Sequence, residues 1–400
     1  MARILNVNIL YVATETPRIS SLTKGDISRP TFAEVDLRQL SNNLSAIDAA
    51  TGTTKVMPVL KANAYGHGIV PVAEHLEALG ATYFGVALLE EGLLLREEGI
   101  QTPILVLGGI VPEQIPHYLQ NDLTLTAHSI EKLDHINNAA ASLGVRARVH
   151  LEVDTGMERV GVHWYNAENF FEHALSLDHC EIEGVYSHFA NSDAADLTSA
   201  RDQYDRFMEA LSYFDENELP MPIRHLANSG GILQLPESHL DMVRAGIMLY
   251  GIYPSPECQR TIPVAPVLSL KSRVVFFKVV EPRMPVSYGH TWESDHRIRV
   301  VTVPIGYGDG YSRGFSNQGQ VLINGRRYPI IGRVCMDQIM VNIEWDEAYN
   351  GDSVTLLGWD GAESISADDL ALWLDTIPYE ILTSVNTRVP RKYIQDGDLP

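Results

Sequence analysis

The chain of 400 residues is poor in cysteine, in clustered basic residues and in long apolar stretches. Its three cysteines are Cys180, Cys258 and Cys335, an odd number without the C-x-x-C spacing of zinc or redox sites. So few thiols exclude a disulfide framework and favour a reducing compartment, which predicts a cytoplasmic protein. No apolar window approaches the ~20 residues that span a bilayer, and Asn6 and Asn8 interrupt the apolar N-terminal stretch. We therefore expect no membrane association and interpret residues 1–28 as an N-terminal arm.

Basic residues are the scarcer charged class, with 30 Lys and Arg against 51 Asp and Glu and a formal net charge of −21. A nucleic-acid-binding protein needs a basic surface that displaces counterions from phosphates, and this chain has no run of Lys and Arg. A nucleic-acid partner is therefore excluded. The hydrophobic share of 45% is that of an ordinary globular protein. At roughly 150 residues per domain, the length predicts two or three domains.

Short β-branched or apolar runs alternate with segments of helical period between residues 55 and 250, a pattern typical of repeated βα units. The predicted strands are 56–60, 83–86, 104–107, 123–126, 147–153, 182–186, 223–226 and 242–244. Predicted helices include 70–79, 90–98, 130–143 and 199–217. Eight such units have the size of a (β/α)8 barrel, but a doubly wound open sheet has the same alternation. The spacing favours the barrel and leaves the open sheet as the alternative.

The alternation of strands and helices ends at a proline-rich segment without periodicity, residues 253–266, which predicts a linker. Beyond it, runs rich in Val and Ile are separated by turn signals such as Asn324-Gly325. These runs are 268–280, 297–304, 320–323, 327–334, 339–343 and 353–357. We therefore predict an arm at 1–28, an α/β barrel at 29–265 and a mainly β C-terminal domain at 266–400.

Polar residues directly after the barrel strands are candidates for function, because a barrel carries its active site at the carboxyl ends of its strands. Lys61 follows the first strand; such a lysine is usually an ion-pair partner, but a desolvated one is a Schiff-base nucleophile. Arg159 and His188 follow later strands and have structural interpretations too, Arg159 as an ion-pair partner of Glu152 or Asp154. The loops after the seventh and eighth strands contain Asn228, Ser229, Gly246 and Ile247. Loops there commonly bind phosphate, and a lysine facing a phosphate site suits a phosphorylated aldehyde cofactor.

The chain resembles the alanine racemase family of fold-type III pyridoxal phosphate enzymes in a series of motifs that follow the family's order over nearly the whole length. These motifs are VLKANAYGHG (59–68), HLEVDTGMERVG (150–161), SHFANSD (187–193), LANSGG (226–231), VRAGIMLYG (243–251), SYGHTW (287–292), PIGYGDG (304–310), GRVCMDQ (332–338), YE (379–380) and RVPR (388–391). The resemblance implies the (β/α)8 barrel and a β domain that packs on the barrel of a partner subunit. It also implies a homodimer with shared active sites, pyridoxal 5'-phosphate as cofactor, a small amino acid as substrate and no metal.

The resemblance assigns two catalytic bases and a set of cofactor contacts. Lys61 would bind the cofactor covalently and take the proton of the D-enantiomer, while Tyr288 of the other subunit would serve the L-enantiomer. Bases on both faces are needed to invert a planar carbanion. A phenol is ordinarily a poor base, and His188 and Arg244 match the residues that would assist it. The implied cofactor-binding residues are Lys61, Tyr65, Arg159, His188, Asn228, Ser229, Arg244, Gly246, Ile247 and Tyr379.

Further residues are assigned to the substrate and to its entrance. Arg159 and the backbone of Met336 would bind the substrate carboxylate, and Arg244 would face the pyridine nitrogen. Residues matching the narrow entrance, which favours alanine, are Asp193, Tyr307, Arg313 and Arg333. One position departs from the family: many members have a carbamylated lysine where this chain has Glu152. We predict that Glu152 pairs with Arg159 and that no carbamate forms.

Three alternatives accompany the predicted alanine racemase that supplies D-alanine for peptidoglycan. A serine or broad-specificity racemase of the same family would differ only at the entrance and near Tyr307. A barrel-type amino-acid decarboxylase would place an acidic residue, not Arg244, at the pyridine nitrogen to strengthen the electron sink. A cofactor-carrying barrel without turnover would lack the second domain that contains Tyr288.

Overall fold

The computed structural model describes residues 29–395, which begin with strand β1 (Phe32–Asp36) and helix α1 (Leu37–Thr51). Asp36 ends the strand and caps the helix, because its carboxylate accepts hydrogen bonds from the backbone N–H groups of Arg38 and Gln39. The predicted arm, residues 1–28, lies outside the described residues. No helix within residues 29–395 is long and apolar enough to cross a bilayer.

In the described part of the chain, eight parallel strands close into a barrel. The strands between residues 55 and 245 are β2 (Lys55–Pro58), β3 (Phe84–Val86), β4 (Ile104–Val106), β5 (Thr124–Ala127), β6 (Ala147–Asp154), β7 (Val162–His163), β8 (Cys180–Tyr186), β9 (Ile223–His225) and β10 (Met242–Ala245). Neighbours pair in parallel from β3 to β9, with the short β7 attached to β6 outside the ring, and β10 pairs with β2.

Two contacts close the ring. A bridge between Val59 and Gly85 joins β2 to β3, and the Arg244 N–H donates to the Ala227 carbonyl at 2.9 Å beside β9. The strand order around the ring is the order in sequence, so the barrel prediction is confirmed and the doubly wound sheet is excluded.

Helices cover the outside of the barrel and connect its strands. They are α2 (Ile69–Ala78), α3 (Leu89–Glu97), α4 (Ile115–Gln120), α5 (Ile130–Leu143), α6 (Ala167–Leu175), α7 (Thr198–Glu216) and α8 (Ser229–Gln234). Helix α5 shows why they form: Ser129 caps its start, Gly144 ends it in the left-handed conformation, and Leu133, Ile136 and Ala140 form its buried face.

The second sheet is mainly antiparallel. Its strands after the barrel are β11 (Leu268–Arg273), β12 (Phe276–Val280), β13 (Ile298–Val303), β14 (Gln320–Ile323), β15 (Arg326–Ile331), β16 (Ile339–Glu344), β17 (Ser353–Asp360), β18 (Glu363–Ile365) and β19 (Arg391–Ile394), with helices α9 (Ala367–Leu374) and α10 (Pro378–Ser384). The mainly β prediction is confirmed. Asn324 and Gly325, both with positive φ, form the predicted tight turn between β14 and β15.

Strand β1 lies in this second sheet although it precedes the barrel in sequence. It pairs antiparallel with β11 and parallel with β19, so that Ala33 lies opposite both Leu270 and Arg391. The barrel is therefore inserted between the first strand of the β domain and the rest of that domain.

The linker is fixed to the barrel by the buried side chain of Asn43 on α1. Its amide group donates to the carbonyls of Leu249 and Ala265 at 3.0 and 2.9 Å and accepts from the Ala265 N–H at 3.0 Å. A buried amide with all these partners satisfied holds the two segments in register.

Candidate active site

A cavity of about 380 Å³ opens at the carboxyl ends of the barrel strands. It brings together all ten residues predicted to bind the cofactor: Lys61, Tyr65, Arg159, His188, Asn228, Ser229, Arg244, Gly246, Ile247 and Tyr379. Two larger grooves, of about 910 and 860 Å³, lie beside α1 and along β12. Neither contains any of the ten predicted cofactor-binding residues, so the smaller cavity is the candidate active site.

Lys61 begins a left-handed turn, an unusual conformation for residues other than glycine. Ala62, Asn63, Ala64 and Tyr65 have φ between 51° and 57°. Left-handed residues with a Cβ each cost roughly 1–2 kcal/mol. Such strain persists only where the surrounding structure imposes it, and it is concentrated at functional sites.

Side chains from three directions hold this turn. The Ala62 N–H donates to Oε1 of Glu91 on α3 at 2.6 Å, and the Ile69 N–H donates to Oδ1 of Asn63 at 2.8 Å. Nδ1 of the buried His67 donates to the carbonyls of Ala64 and Tyr65, both at 3.0 Å.

Strand β19 of the β domain contacts the two residues that follow the turn. The Arg391 guanidinium donates to the Gly66 carbonyl at 2.9 Å, and the Tyr393 hydroxyl donates to the His67 carbonyl at 3.1 Å. The lysine therefore stands on a rigid segment supported by both domains.

The environment of Lys61 shifts its protonation equilibrium toward the neutral amine. Burial lowers its pKa, and the positive charges of Arg159 and Arg244 lower it further. Within residues 29–395 its ammonium group forms no ion pair. The structural interpretation of Lys61 as an ion-pair partner is therefore not supported, whereas a reactive amine is.

Opposite Lys61, unpaired donors form a cradle. The N–H groups of Ser229, Gly246 and Ile247 donate to no acceptor among the described residues, and the Tyr65 and Tyr379 side chains lie beside them. A Cβ on Gly246 would lie 2.8 Å from the Tyr65 hydroxyl, so only glycine leaves this space open. Burial raises the pKa of Tyr65, which keeps its hydroxyl a donor. Donors alone, arranged around a space, suit a phosphate group.

Arg244, on β10, is buried at the floor of the cavity. Its terminal nitrogens donate to Nδ1 of His225 at 2.9 Å, to Nδ1 of His188 at 3.0 Å and to the carbonyls of Ser187, His225 and Leu226. Its Nε–H has no acceptor among the described residues. Burial lowers the pKa of Arg244 to about 10, so it remains a cation and a donor at neutral pH. The free donor fits an unprotonated ring nitrogen.

The predicted ion pair between Glu152 and Arg159 is wrong. Oε2 of the buried Glu152 accepts from the Tyr186 hydroxyl at 2.8 Å and lies 2.8 Å from Nδ1 of His128. Arg159 is exposed at the cavity rim. It lies on a loop in which three backbone N–H groups, including its own, donate to the Asp154 carboxylate. Its guanidinium forms no ion pair with a described residue. The carboxylate is therefore already satisfied within the barrel.

The residues predicted to come from a partner subunit do not reach this cavity. Tyr288 and Met336 are 71% and 52% exposed on the β domain, and Tyr288 lines the groove along β12. The predicted entrance residues Asp193, Tyr307, Arg313 and Arg333 also lie outside the cavity lining. Backbone bonds from Tyr307 to Cys335 and from Gly308 to Met336 hold two of these loops together. One chain thus presents two separate groups of predicted site residues.

Sequence reasoning assigned no role to Glu91, His67, His128 or Arg391. His67 and Arg391 belong to motifs that carried the resemblance, so their presence there was a usable signal. Glu91 and His128 contact the site only through the packing of neighbouring barrel loops, for which the sequence has no local signal.

Comparisons with known proteins agree with the geometry. The sequence matches the family "Alanine racemase, N-terminal domain" over residues 35–254 and "Alanine racemase, C-terminal domain" over residues 267–393. An alanine racemase from Desulfovibrio desulfuricans is 42% identical over 92% of this chain and 99% of its own length.

Two solved structures are similar throughout. An alanine racemase from Clostridium difficile 630 superposes with a TM-score of 0.88 at 37% identity, covering 94% of this chain and 98% of the other. An alanine racemase from Bartonella henselae, solved with covalently bound pyridoxal phosphate, has a TM-score of 0.84 at 28% identity and covers 92% and 100%.

Proposed function

The chain belongs to the alanine racemase family, and from this premise we propose that it interconverts L- and D-alanine with pyridoxal 5'-phosphate as cofactor. One observation carries the proposal: a lysine with a lowered pKa, on a strained turn, shares a single cavity with a cradle of unpaired donors. A covalently held, phosphorylated aldehyde needs both features.

Different residues of the chain would bind different parts of this cofactor. Lys61 would bind its aldehyde carbon, and its phosphate would be bound by Tyr65, Ser229, Gly246, Ile247 and Tyr379. Asn228 positions Ser229, because its side chain caps α8 by accepting from the Gly231 N–H at 3.0 Å. Arg244 would donate to the ring nitrogen through its Nε–H. When bound, pyridoxal phosphate supplies an electron sink for the carbanion left when Cα loses its proton.

A two-base mechanism follows from the need to exchange a proton on opposite faces of Cα. Lys61 serves one face, and Tyr288 of the partner subunit serves the other. Arg159 and the backbone N–H of Met336 of the partner subunit bind the substrate carboxylate. Because a guanidinium keeps its proton, Arg244 would give the ring nitrogen a hydrogen bond and no full charge, which would limit side reactions such as transamination.

The exposed apolar surface around Tyr288 supports a homodimer. Phe276, Val279 and Met284 line the same groove as Tyr288 and are each about half exposed. Contiguous apolar surface of this kind marks an interface. A dimer that covers it brings each β domain, with its predicted entrance residues, to the barrel of the other subunit.

We further infer that the product D-alanine serves peptidoglycan synthesis in the cytoplasm. A serine or broad-specificity racemase fits the same cavity, whereas a decarboxylase is disfavoured because Arg244, not a carboxylate, occupies the position facing the ring nitrogen.

Optical rotation on a panel of single amino acids tests the function. L-alanine and D-alanine should both lose rotation, and L-serine should not. The Lys61→Ala variant should lose the visible absorbance of the bound cofactor together with the activity. Loss of rotation with L-serine at a rate similar to L-alanine would establish the broad-specificity alternative, and no loss with any substrate despite bound cofactor would establish a carrier.

A further inference from the structure

The carboxylate of Asp309, in the β domain, is bound through both of its oxygens and has no exposed surface. The Arg29 guanidinium donates to Oδ1 at 2.7 Å and to Oδ2 at 2.6 Å. The Gly306 N–H donates to Oδ2 at 3.1 Å, and Nε of Arg388 lies 3.4 Å from Oδ1. Burying an ion pair costs about as much hydration free energy as the attraction returns. The consequence of this pair is therefore to be sought in the geometry that it fixes.

Asp309 closes a tight turn that begins at Gly306. Its N–H donates to the Gly306 carbonyl at 2.9 Å, while its carboxylate accepts from the Gly306 N–H, so the two ends of the turn are bound to each other. Arg29 fastens the turn to the neighbouring chain, because it also donates to the carbonyls of Pro304 and Arg388 at 3.0 and 3.1 Å. The two middle N–H groups of the turn are thus held in fixed directions.

These two N–H groups hold a second segment of the β domain. The Tyr307 N–H donates to the Cys335 carbonyl at 3.0 Å, and the Gly308 N–H donates to the Met336 carbonyl at 2.9 Å. The two backbones lie so close that a Cβ on Gly306 would come within 2.2 Å of the Cys335 carbonyl oxygen. The position of the Cys335–Met336 backbone therefore depends on the position of the turn.

The Cys335 carbonyl and the Met336 N–H belong to one peptide unit. The described residues contain no cis peptide bond, so this unit is planar and trans, and its C=O and N–H groups point in opposite directions. Because Tyr307 binds the carbonyl, the Met336 N–H points away from the turn. It donates to no acceptor among the described residues, and Met336 is half exposed. The β domain thus presents an oriented, unpaired donor at its surface.

We propose that Asp309 is a positioning residue for the Met336 N–H: paired with Arg29, it fixes the turn, and the turn fixes the peptide unit that donates to the substrate carboxylate in the partner subunit's cavity. The link to the substrate rests on the proposed function, whereas the effect of Asp309 on the peptide unit does not. The carboxylate is bound alike before and during proton transfer, so loss of this donor raises KM and leaves kcat little changed.

Three variants test the proposal. Asp309→Asn keeps the size of the side chain but replaces one accepting oxygen with an amino group that can accept from neither Arg29 nor Gly306. Arg29→Lys is the milder variant, since lysine keeps the charge but lacks the planar fork that binds both oxygens. Asp346→Asn is the matched control, because it makes the same change at an exposed ion pair of the β domain, 3.1 Å from Arg326.

Hydrogen exchange followed by mass spectrometry tests the geometry independently of the reaction. In the holoenzyme, peptides that contain Tyr307 and Gly308 should exchange about ten-fold faster in Asp309→Asn, because the turn no longer holds its hydrogen bonds. Arg29→Lys should give a smaller increase in the same peptides and decides the question if Asp309→Asn does not fold. Asp346→Asn should leave them unchanged. Exchange in Asp309→Asn, or in its milder substitute, that equals the control overturns the proposal whatever the enzyme catalyses.

Two partial analogues of alanine test the link to the substrate. Propionate has the carboxylate without the amine, and ethylamine has the amine without the carboxylate. Asp309→Asn should weaken the binding of propionate about ten-fold, as measured by the absorbance of the bound cofactor, and leave that of ethylamine within about two-fold. KM for alanine should rise by a similar factor, with kcat within about two-fold of the unmodified value.

The outcomes separate this proposal from the proposed function. Equal weakening of both analogues would indicate general damage to the cavity and overturn the role of Asp309. Unchanged binding of propionate in a variant with faster exchange would overturn it too, while racemisation by the unmodified enzyme would leave the proposed function intact. Failure of the proposed function shows instead as no racemisation of any amino acid by the unmodified enzyme, and the exchange measurement then still decides whether Asp309 fixes the peptide unit.

Discussion

Gly246 is a single residue whose missing side chain shapes the cofactor cradle. A Cβ there would lie 2.8 Å from the Tyr65 hydroxyl and 3.4 Å from Oγ of Ser229, two of the proposed phosphate ligands. Gly246→Ala should therefore weaken cofactor binding by about ten-fold or more, since an overpacked site typically costs 1–3 kcal/mol. Titration of the apo-protein with cofactor, followed by absorbance, measures the change. Gly109→Ala is the control, because that glycine lines the same cavity with no atom within 4 Å of its added Cβ; equal affinities for the two variants would contradict the assigned cradle.

The pKa of Lys61 predicts how cofactor capture depends on pH. Burial lowers this pKa first, and Arg159 contributes next, so neutralising Arg159 should move the pKa of Lys61 upward. Only the neutral amine attacks the aldehyde, so the rate of cofactor capture by apo-protein rises with pH through the pKa of Lys61. Arg159→Gln should shift this rise to higher pH in stopped-flow absorbance measurements. Arg201→Gln, which removes an exposed cation paired with Glu237, should leave it in place; a shift to lower pH in Arg159→Gln would refute the electrostatic account.

At the residue scale the sequence predicted which side chains share the cavity, but it did not predict all of their partners. The ten predicted cofactor residues converge because each follows a strand whose carboxyl end faces the same rim. The predicted ion pair of Glu152 failed because Tyr186 and His128 reach the same carboxylate from neighbouring strands. Which side chains contact a buried carboxylate depends on three-dimensional packing, and a sequence motif does not contain that information.

Among the elements, the left-handed turn after Lys61 makes a prediction about stability. Ala62 is exposed and has φ of 54°, a conformation that glycine adopts without steric cost. Ala62→Gly should therefore raise the free energy of unfolding by about 1 kcal/mol, measured by urea denaturation of the apo-protein. The same change at the exposed Ala141, in helix α5, should lower it by a similar amount. Destabilisation by both substitutions would show that the turn is not strained.

The strands were predictable as elements, whereas this turn was not. Short apolar runs between helical segments predicted all eight barrel strands to within a few residues, because a parallel strand that is buried on both faces consists mostly of apolar residues. In Lys61-Ala62-Asn63-Ala64-Tyr65 only Asn63 is of a type that readily adopts the left-handed conformation, and one such residue does not predict four in succession. Glu91 on α3 and the adjacent His67 hold the turn, and Arg391 of the β domain holds the next residue, Gly66.

For the whole molecule, the separation of Lys61 from Tyr288 predicts complementation between two inactive variants. In a symmetric dimer with shared sites, random pairing of Lys61→Ala and Tyr288→Phe subunits restores one intact site in every mixed dimer. Half of the dimers are mixed, so the mixture should regain about one quarter of the unmodified activity. The assay is racemase activity after the two proteins are co-refolded. Activity no higher than that of the separate variants would mean that both residues serve the same subunit's site.

The pairing of β1 with β19 determines the order in which the two domains can fold during synthesis on the ribosome. Strand β1 is synthesised more than 350 residues before its parallel neighbour β19, so the β sheet cannot be completed until β19 has emerged. The barrel between them can fold sooner, yet the turn that carries Lys61 still lacks the hydrogen bonds from Arg391 and Tyr393. A nascent or truncated chain would thus contain the reactive lysine without its rigid support. Competence to retain the cofactor should arise only after β19 has been synthesised and paired with β1.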